Sequence, residues 1–410
     1  MENKGKILIV TPRFPIPTAG ACEQDRLEGI KQLKRLGYDI RVIGKIFDFQ
    51  DKSKIESFSK EFGIHVETVP YIYTRKRDHL EKIRYYIKRF LWPPYWDGAA
   101  AEFTEPNIRR VVRESLQTFK PDVVWFDYTY LWPLYKEIKQ KNIPIITRSI
   151  NFEPRHFLEE DGLSLINLIR CLPKFISEIL VARRSDCIVA LNPNEAKIYA
   201  ALGAKQVFVL PLRKLPALIG KNTDIKDNHP LHVLYMSSSY TVAHNQRALR
   251  LLLNKIIPII HQKYPNQFVF HFSGSKLPPS LFTFIDGKTV KYEGYIPIDQ
   301  MESFLARIDI VVSPSSKKVG MQQKVFEPLV RGIPLVTSPC NIVGYPFYHE
   351  ESVLLAVTPD QYVDALQKLR DYDLRKKLSK NAVDIATTLF SREIVDSTGQ
   401  SIIDSTKKLD

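Results

Sequence analysis
The stretch from Ser313 to Pro339 constrains the fold most. Apolar strands are expected on either side of its centre, at Ile308–Val312 and Ile333–Thr337. Between them the sequence provides a Gly-bearing loop and a short helix that stops at Gly332, a helix-terminating residue. This is a β-loop-α-β unit, the building block of a parallel sheet. Its polar residues gather where the loop enters the helix. Backbone N–H groups and the helix dipole there favour an anion such as a phosphate. Lys324 adds a positive charge, and Glu327 shares its helix face. A carboxylate next to a phosphate is unfavourable unless it accepts from hydroxyls, such as the vicinal pair of a ribose. Pro328 is expected in the first helical turn, where its missing N–H costs nothing. Spacing alone slightly favours a plainer reading, in which Lys324 and Glu327 form an exposed ion pair worth little.

The rest of the chain repeats the pattern. Ile7–Thr11 reads as a buried strand, followed by the Pro-rich loop Pro12–Gly20, a helix from about Glu23 to Leu36 and a strand at Tyr38–Ile43. This is the opening of a doubly wound α/β domain. Its loop lacks Gly-x-Gly-x-x-Gly, so no dinucleotide cofactor is indicated. Further strands are expected at Pro121–Asp127, Ile143–Thr147, Ile188–Asn192 and Val207–Leu210, while residues 50–118 read as irregular. Ligands of open α/β sheets bind at the C-terminal ends of strands, which singles out Asp127, Tyr128, Arg148, Asn151 and Glu153. A second series starts with a strand at Leu231–Met236, a small-residue loop at Ser237–Thr241 and a helix opening at His244-Asn245. Phe268–Phe272 leads to Ser273-Gly274-Ser275, and Val290–Gly294 precedes the unit described first. The expected organisation is one doubly wound domain over 1–212 and a second over 213–389. The C-terminal helix, over 390–410, has the option of crossing back to the first domain. Asp371-Tyr372-Asp373 has the form of a metal-binding Asp-x-Asp, but its setting between two helices makes Asp373 an N-cap. No metal site is expected, and no metalloprotease or hydrolase signature occurs.

The net charge of +14 points to a polyanionic partner. Basic residues are dispersed and form no nucleic-acid recognition module. The four cysteines are far apart, fitting a reducing compartment. No signal peptide is evident, and no apolar run approaches the roughly 18 residues of a spanning helix. A cytoplasmic location follows, with the option of peripheral attachment to the inner face of a membrane. That option rests on the segment from Arg75 to Trp96. It combines Arg75-Lys76-Arg77, an amphipathic pattern with Lys82, Arg84, Lys88 and Arg89, and the cluster Trp92 to Trp96. An anionic membrane surface and packing of an ordinary amphipathic helix on the sheet explain it equally well.

Several segments taken together resemble the GT-B glycosyltransferases, family 4 type, including bacterial surface-polysaccharide sugar transferases. They are Arg13-Phe14-Pro15-Ile16-Pro17 with Gly20 and Arg26, Pro121-Asp122-Val123-Val124 with Asp127, and Arg148-Ser149-Ile150-Asn151-Phe152-Glu153. To these add Ala182-Arg183-Arg184-Ser185-Asp186, Gly294-Tyr295-Ile296-Pro297, Asp309–Pro314 and Gly320–Pro334. The resemblance covers nearly the whole chain and implies two Rossmann-like domains facing across a cleft. It implies transfer of a sugar, with retention in the family's manner, from a nucleotide-diphosphate sugar to a saccharide or lipid-linked acceptor. It implies no permanently bound cofactor and no metal. Glu327 matches the carboxylate that binds the nucleotide ribose, and Lys324 a polar position one turn earlier. Gly20, Ser239, His244, Asn245, Gly274, Gly320, Met321 and Gln322 complete the implied donor set. Asp127 and Glu153 are the implied catalytic pair on the acceptor side. The chain departs from the pattern at Val319, where many members carry a sugar-gripping Glu. It departs again at Asp127 and Ser149, where many carry His, and near Ser239–Asn245, which lacks the usual cations. These departures keep two alternatives in view: a GT-B nucleotide-sugar epimerase, and a degenerate nucleotide-sugar-binding subunit.

Overall fold
The computed structural model describes residues 4–18, 20–74, 79–91, 96–315 and 320–407. The chain divides into two compact units, Met1–Lys214 with Val395–Asp410, and Leu215–Ile394.

The first unit is built on a parallel sheet of β1 (Lys6–Thr11), β2 (Asp39–Ile46), β3 (His65–Pro70), β4 (Val123–Phe126), β5 (Ile145–Arg148), β6 (Cys187–Ala190) and β7 (Val207–Val209). The order is β3-β2-β1-β4-β5-β6-β7. Around it lie α1 (Ala21–Arg35), α2 (Lys52–Phe62), α3 (His79–Leu91), α4 (Gly98–Phe103), α5 (Pro106–Thr118), α6 (Tyr135–Lys139), α7 (Glu153–Asp161), α8 (Leu165–Arg184) and α9 (Pro193–Ala201). The central strands are apolar runs because both sheet faces are covered, and every residue of β4, β5 and β6 is buried.

The second unit carries β8 (Leu231–Ser239), β9 (Phe268–Ser275), β10 (Val290–Gly294), β11 (Ile310–Ser313), β12 (Leu335–Thr337) and β13 (Leu354–Leu355), ordered β10-β9-β8-β11-β12-β13. Its helices are α10 (Ala243–Leu251), α11 (Ile257–Lys263), α12 (Ile298–Leu305), α13 (Gln323–Arg331), α14 (Pro359–Lys368) and α15 (Tyr372–Phe390). α13 ends as expected at Gly332, whose φ of 88° is left-handed and whose N–H returns to the Pro328 and Leu329 carbonyls.

The last helix, α16 (Arg392–Lys407), contributes Val395, Ile402 and Ile403 to the core of the first unit. Gln32 Nε2 donates to the Val395 carbonyl at 2.7 Å, and Arg35 pairs with Asp396 at 2.7 Å.

In each sheet the strand order reverses beside the first strand, between β1 and β4 and between β8 and β11. Those two switch points are where open α/β sheets bind ligands. Asp127 directly follows β4, and Ser239 ends β8.

The structure corrects several details. Residues 50–118 are not irregular: they hold α2, edge strand β3 and three more helices. The strand β8 continues through Ser239 where a loop is expected. Pro328 sits inside α13 and not in its first turn, because Gln322 is still extended and the helix begins at Gln323. Asp371, not Asp373, caps α15, accepting from the N–H groups of Asp373 and Leu374. Among the described residues no cluster of three His, Cys, Asp or Glu side chains is arranged to hold a metal, and no helix is long and apolar enough to cross a membrane.

Candidate functional site
In the second unit the polar residues at the switch point are wired together by Asn245. This side chain is 4% exposed. Its amide donates to the Ser239 carbonyl at 2.9 Å, and its Oδ1 accepts from Lys324 Nζ at 2.9 Å. Asn245 belongs to the first turn of α10 and Lys324 to the first turn of α13. The hydrogen bond therefore brings two helix N-termini and one ammonium to the end of β8. Positive potential from both dipoles and the lysine adds there, which suits a phosphate group. Lys324 also lies 5.6 Å from the centre of the Tyr235 ring. Ser239 Oγ is 2.9 Å from Thr241 Oγ1, and half-buried His244 follows Ala243 at the start of α10.

Gly274 lets β9 approach this end closely. Its φ is +137°, and a Cβ there would stand 2.8 Å from the Ser237 carbonyl oxygen. Gly320 has a φ of 67° and brings the chain into α13. Met321 is buried, with its sulfur 3.8 Å from the Tyr345 hydroxyl. The N-cap residue Gln322 accepts from Ser315 Oγ at 3.2 Å and donates to Asn341 Oδ1 at 2.7 Å. Val319, the position of the missing family Glu, lies outside the described residues.

Lys324 and Glu327 do not form the exposed pair that spacing alone favours. Glu327 is 3% exposed. It accepts from Arg331 Nε at 3.0 Å and from Gln323 Nε2 at 2.6 Å. Arg331 in turn donates to both oxygens of Glu302, at 2.9 and 2.8 Å. The carboxylate is thus fixed on α13 in the turn after Lys324.

In the first unit, Asp127 is 2% exposed. It accepts from the Trp125 indole at 3.0 Å and lies 3.6 Å from Arg213. Burial pushes its carboxyl above the ordinary range, against the pull of Arg213 and Arg26. Glu153 opens α7, is half-buried, and accepts from the Tyr128 hydroxyl at 2.6 Å. The two candidate carboxylates therefore differ: Asp127 is locked inside, Glu153 is the more open. Gly20, counted with the donor residues, lies in the first unit as the extended N-cap of α1.

Residues 231–371 match the family model for glycosyl transferases group 1. Solved structures cover nearly the whole chain at low identity. Sucrose-phosphate synthase from Thermosynechococcus elongatus aligns at TM-score 0.69 with 13% identity, covering 99% of this chain and 100% of that one. TarM aligns at 0.67 with 10% identity over 98% and 99%. HepE from Anabaena, in complex with UDP and glucose, aligns at 0.61 with 14% identity over 98% and 100%. A search of curated proteins finds no match. The whole chain therefore has the GT-B fold, and its second unit matches the glycosyl transferases group 1 model.

Two buried polar assemblies of the first unit escape a reading of the sequence. One is the cluster of Asp25, Arg148 and Arg213, discussed below. The other is Glu178, on α8, which accepts from Thr129 Oγ1 at 2.9 Å and from the Tyr199 hydroxyl at 2.7 Å. Tyr199 also meets Ser149, 2.8 Å away, at the position where the family often has His. Burial pushes Glu178 up to about 8, against the hydrogen bond from Tyr199. A raised carboxyl favours the fold fully below its ordinary value of 4.5 and loses that contribution as pH rises to about 8. Glu178→Gln should remove this loss. Urea midpoints at pH 5 and 8 should fall less for the variant than for the parent. Equal declines would mean Glu178 is ionised throughout.

Proposed function
We propose that the enzyme moves a sugar from a nucleotide-diphosphate sugar to a saccharide or lipid-linked acceptor in cell-surface polysaccharide synthesis, with retention at the anomeric carbon. The observation that carries this is the meeting of Lys324 with the N-termini of α10 and α13 at the end of β8. When the bond between the anomeric carbon and the diphosphate breaks, negative charge grows on the departing phosphate. Helix dipoles and a fixed ammonium stabilise it without reorganising. The new bond forms to an acceptor hydroxyl whose proton passes to the leaving phosphate. Burial of Asp127 between Trp125 and Arg213 supports that course over one using Asp127 as base, and leaves Glu153 to orient the acceptor. HepE was solved with UDP, so UDP-sugars are the donors to try first. Release of UDP from such a panel, measured with and without a membrane-lipid extract as acceptor source, tests the reading. Turnover that requires the extract is expected. Sugar conversion without it would mean an epimerase, and binding without turnover a degenerate subunit.

The acceptor side is proposed to work at an anionic membrane on the cytoplasmic face. α3 supports this, because it does not bury its apolar side as the packed-helix reading requires. Leu80, Ile83, Ile87, Phe90 and Leu91 are exposed, Phe90 at 80%, and so are Lys82 and Arg84. Arg75-Lys76-Arg77, Trp92 and the three residues after it lie outside the described residues. Each basic side chain near an anionic bilayer contributes about 1 kcal/mol at best, and the attraction is screened by salt. The protein should sediment with anionic vesicles, not with neutral ones, and come off as salt rises. Replacing Lys82, Arg84, Lys88 and Arg89 with Gln should abolish binding. Equal sedimentation with both vesicle types, or with neither, would contradict the proposal.

A further inference from the structure
A second apolar surface lies on the first unit, on the hairpin of α7 and α8. Along α8, Leu165, Leu168, Ile169, Leu172, Phe175 and Ile176 recur every three or four residues, and all are exposed. Leu163, in the turn, is 81% exposed. A sidechain stripe of this kind on a helix normally faces a core. Here it borders a groove of about 770 Å³ between the two helices. The volume is within the roughly 300–1,000 Å³ of small-molecule sites. Phe152, Pro154, Leu158, Leu168, Leu172 and Phe175 line it. Phe152 and Pro154 are the sequence neighbours of Glu153, and Leu163 borders the groove at the hairpin turn.

We propose that this groove holds the hydrocarbon chain of a lipid-linked acceptor, with the acceptor's saccharide placed at Glu153. The inference rests on the reading of the first unit as the acceptor side. The groove suits a chain because its walls are almost wholly apolar, and Arg155 and Glu159 on its rim are already paired at 3.3 Å. Trp96, which follows α3 in the chain, lines a small hollow with Pro173 and Ile176 of α8, and Asp97 pairs with Lys174 at 3.3 Å. Exposed Lys82 and Arg84 on α3 complement the anionic headgroup such a lipid carries. The acidic run Glu159-Glu160-Asp161 beside the turn opposes laying the hairpin flat on an anionic bilayer, and so favours uptake of a single chain.

The test uses the full chain and alkyl glucosides of eight, ten and twelve carbons, titrated by calorimetry below their micelle thresholds. Affinity should rise roughly fourfold per added methylene. Replacing exposed Leu168 and Leu172 with Gln should flatten that dependence while leaving UDP affinity unchanged. Ile83→Gln with Ile87→Gln, on α3, should leave it intact. No dependence on chain length, or loss with the α3 pair and not the α8 pair, would overturn the proposal. So would a dimer, seen by sedimentation velocity, that the α8 pair dissolves, because a second copy would then cover the groove. Chain-length dependence without UDP binding would support the groove and overturn the donor reading instead.

Discussion

Asp25→Ala is expected to lower the stability of the first unit by about 3–5 kcal/mol, the effect of removing one partner from a buried ion cluster. Asp25 is fully enclosed and takes four hydrogen bonds. Arg148 donates through Nε at 2.8 Å and Nη2 at 3.0 Å, and Arg213 through its backbone N–H at 2.8 Å and Nη2 at 2.9 Å. Burial would raise this carboxyl, but Arg148 and Arg213 overcome it and hold it well below the ordinary range. A lowered carboxyl stabilises the fold at neutral pH, and that contribution is lost as pH falls below the ordinary value. Arg148 also reaches the carbonyls of Leu210 and Pro211, so the cluster ties the end of β5 to the chain leaving β7. Alanine would leave two buried guanidinium groups without their carboxylate. The four tryptophans, at 92, 96, 125 and 132, all belong to the first unit, so their fluorescence reports its unfolding. The urea midpoint should drop by about 1–2 M. An unchanged midpoint would show that water or a rearranged side chain replaces the carboxylate.

This cluster marks where the sequence stops being legible. Central strands were readable because a parallel sheet covered on both faces needs unbroken apolar runs, as in Ile7–Val10 and Val123–Phe126. Edge strand β3 was not, since His-Val-Glu-Thr-Val-Pro buries one residue, Val69. Asp25 lies in the polar stretch Glu23-Gln24-Asp25-Arg26, which reads as a solvated helix face. Its partners are 123 and 188 residues away, beyond any local pattern. Glu327 was noticed but placed in a different setting. A Lys three residues before a Glu suggests a surface pair, whereas α13 buries every residue from Val325 to Arg331. The carboxylate then takes its cation from Arg331, one turn along. Loop and helix identities at the switch points came from the order of many weak motifs. The hydrogen bond between Asn245 and Lys324, which joins residues 79 apart, did not.

The second large effect concerns Glu327 and the donor. If its carboxylate accepts from the ribose, Glu327→Ala removes charge-assisted hydrogen bonds worth roughly 1.5–3 kcal/mol, a tenfold to hundredfold loss of nucleotide affinity. The same change removes the carboxylate that Arg331 Nε and Gln323 Nε2 donate to, so a drop in affinity alone would not separate ribose binding from a shift of α13. Arg331 keeps Glu302 and Asn222 as partners, which should hold the helix in place. Comparing UDP with 2′-deoxy-UDP isolates the hydroxyl, because the pair of ligands and the pair of proteins form a cycle. The deciding measurement is calorimetric titration of both nucleotides into both proteins. The parent should bind UDP about tenfold more tightly than 2′-deoxy-UDP, and Glu327→Ala should bind the two equally weakly. A parent that does not distinguish them, or a variant that still does, would contradict the placement of the donor nucleotide at α13.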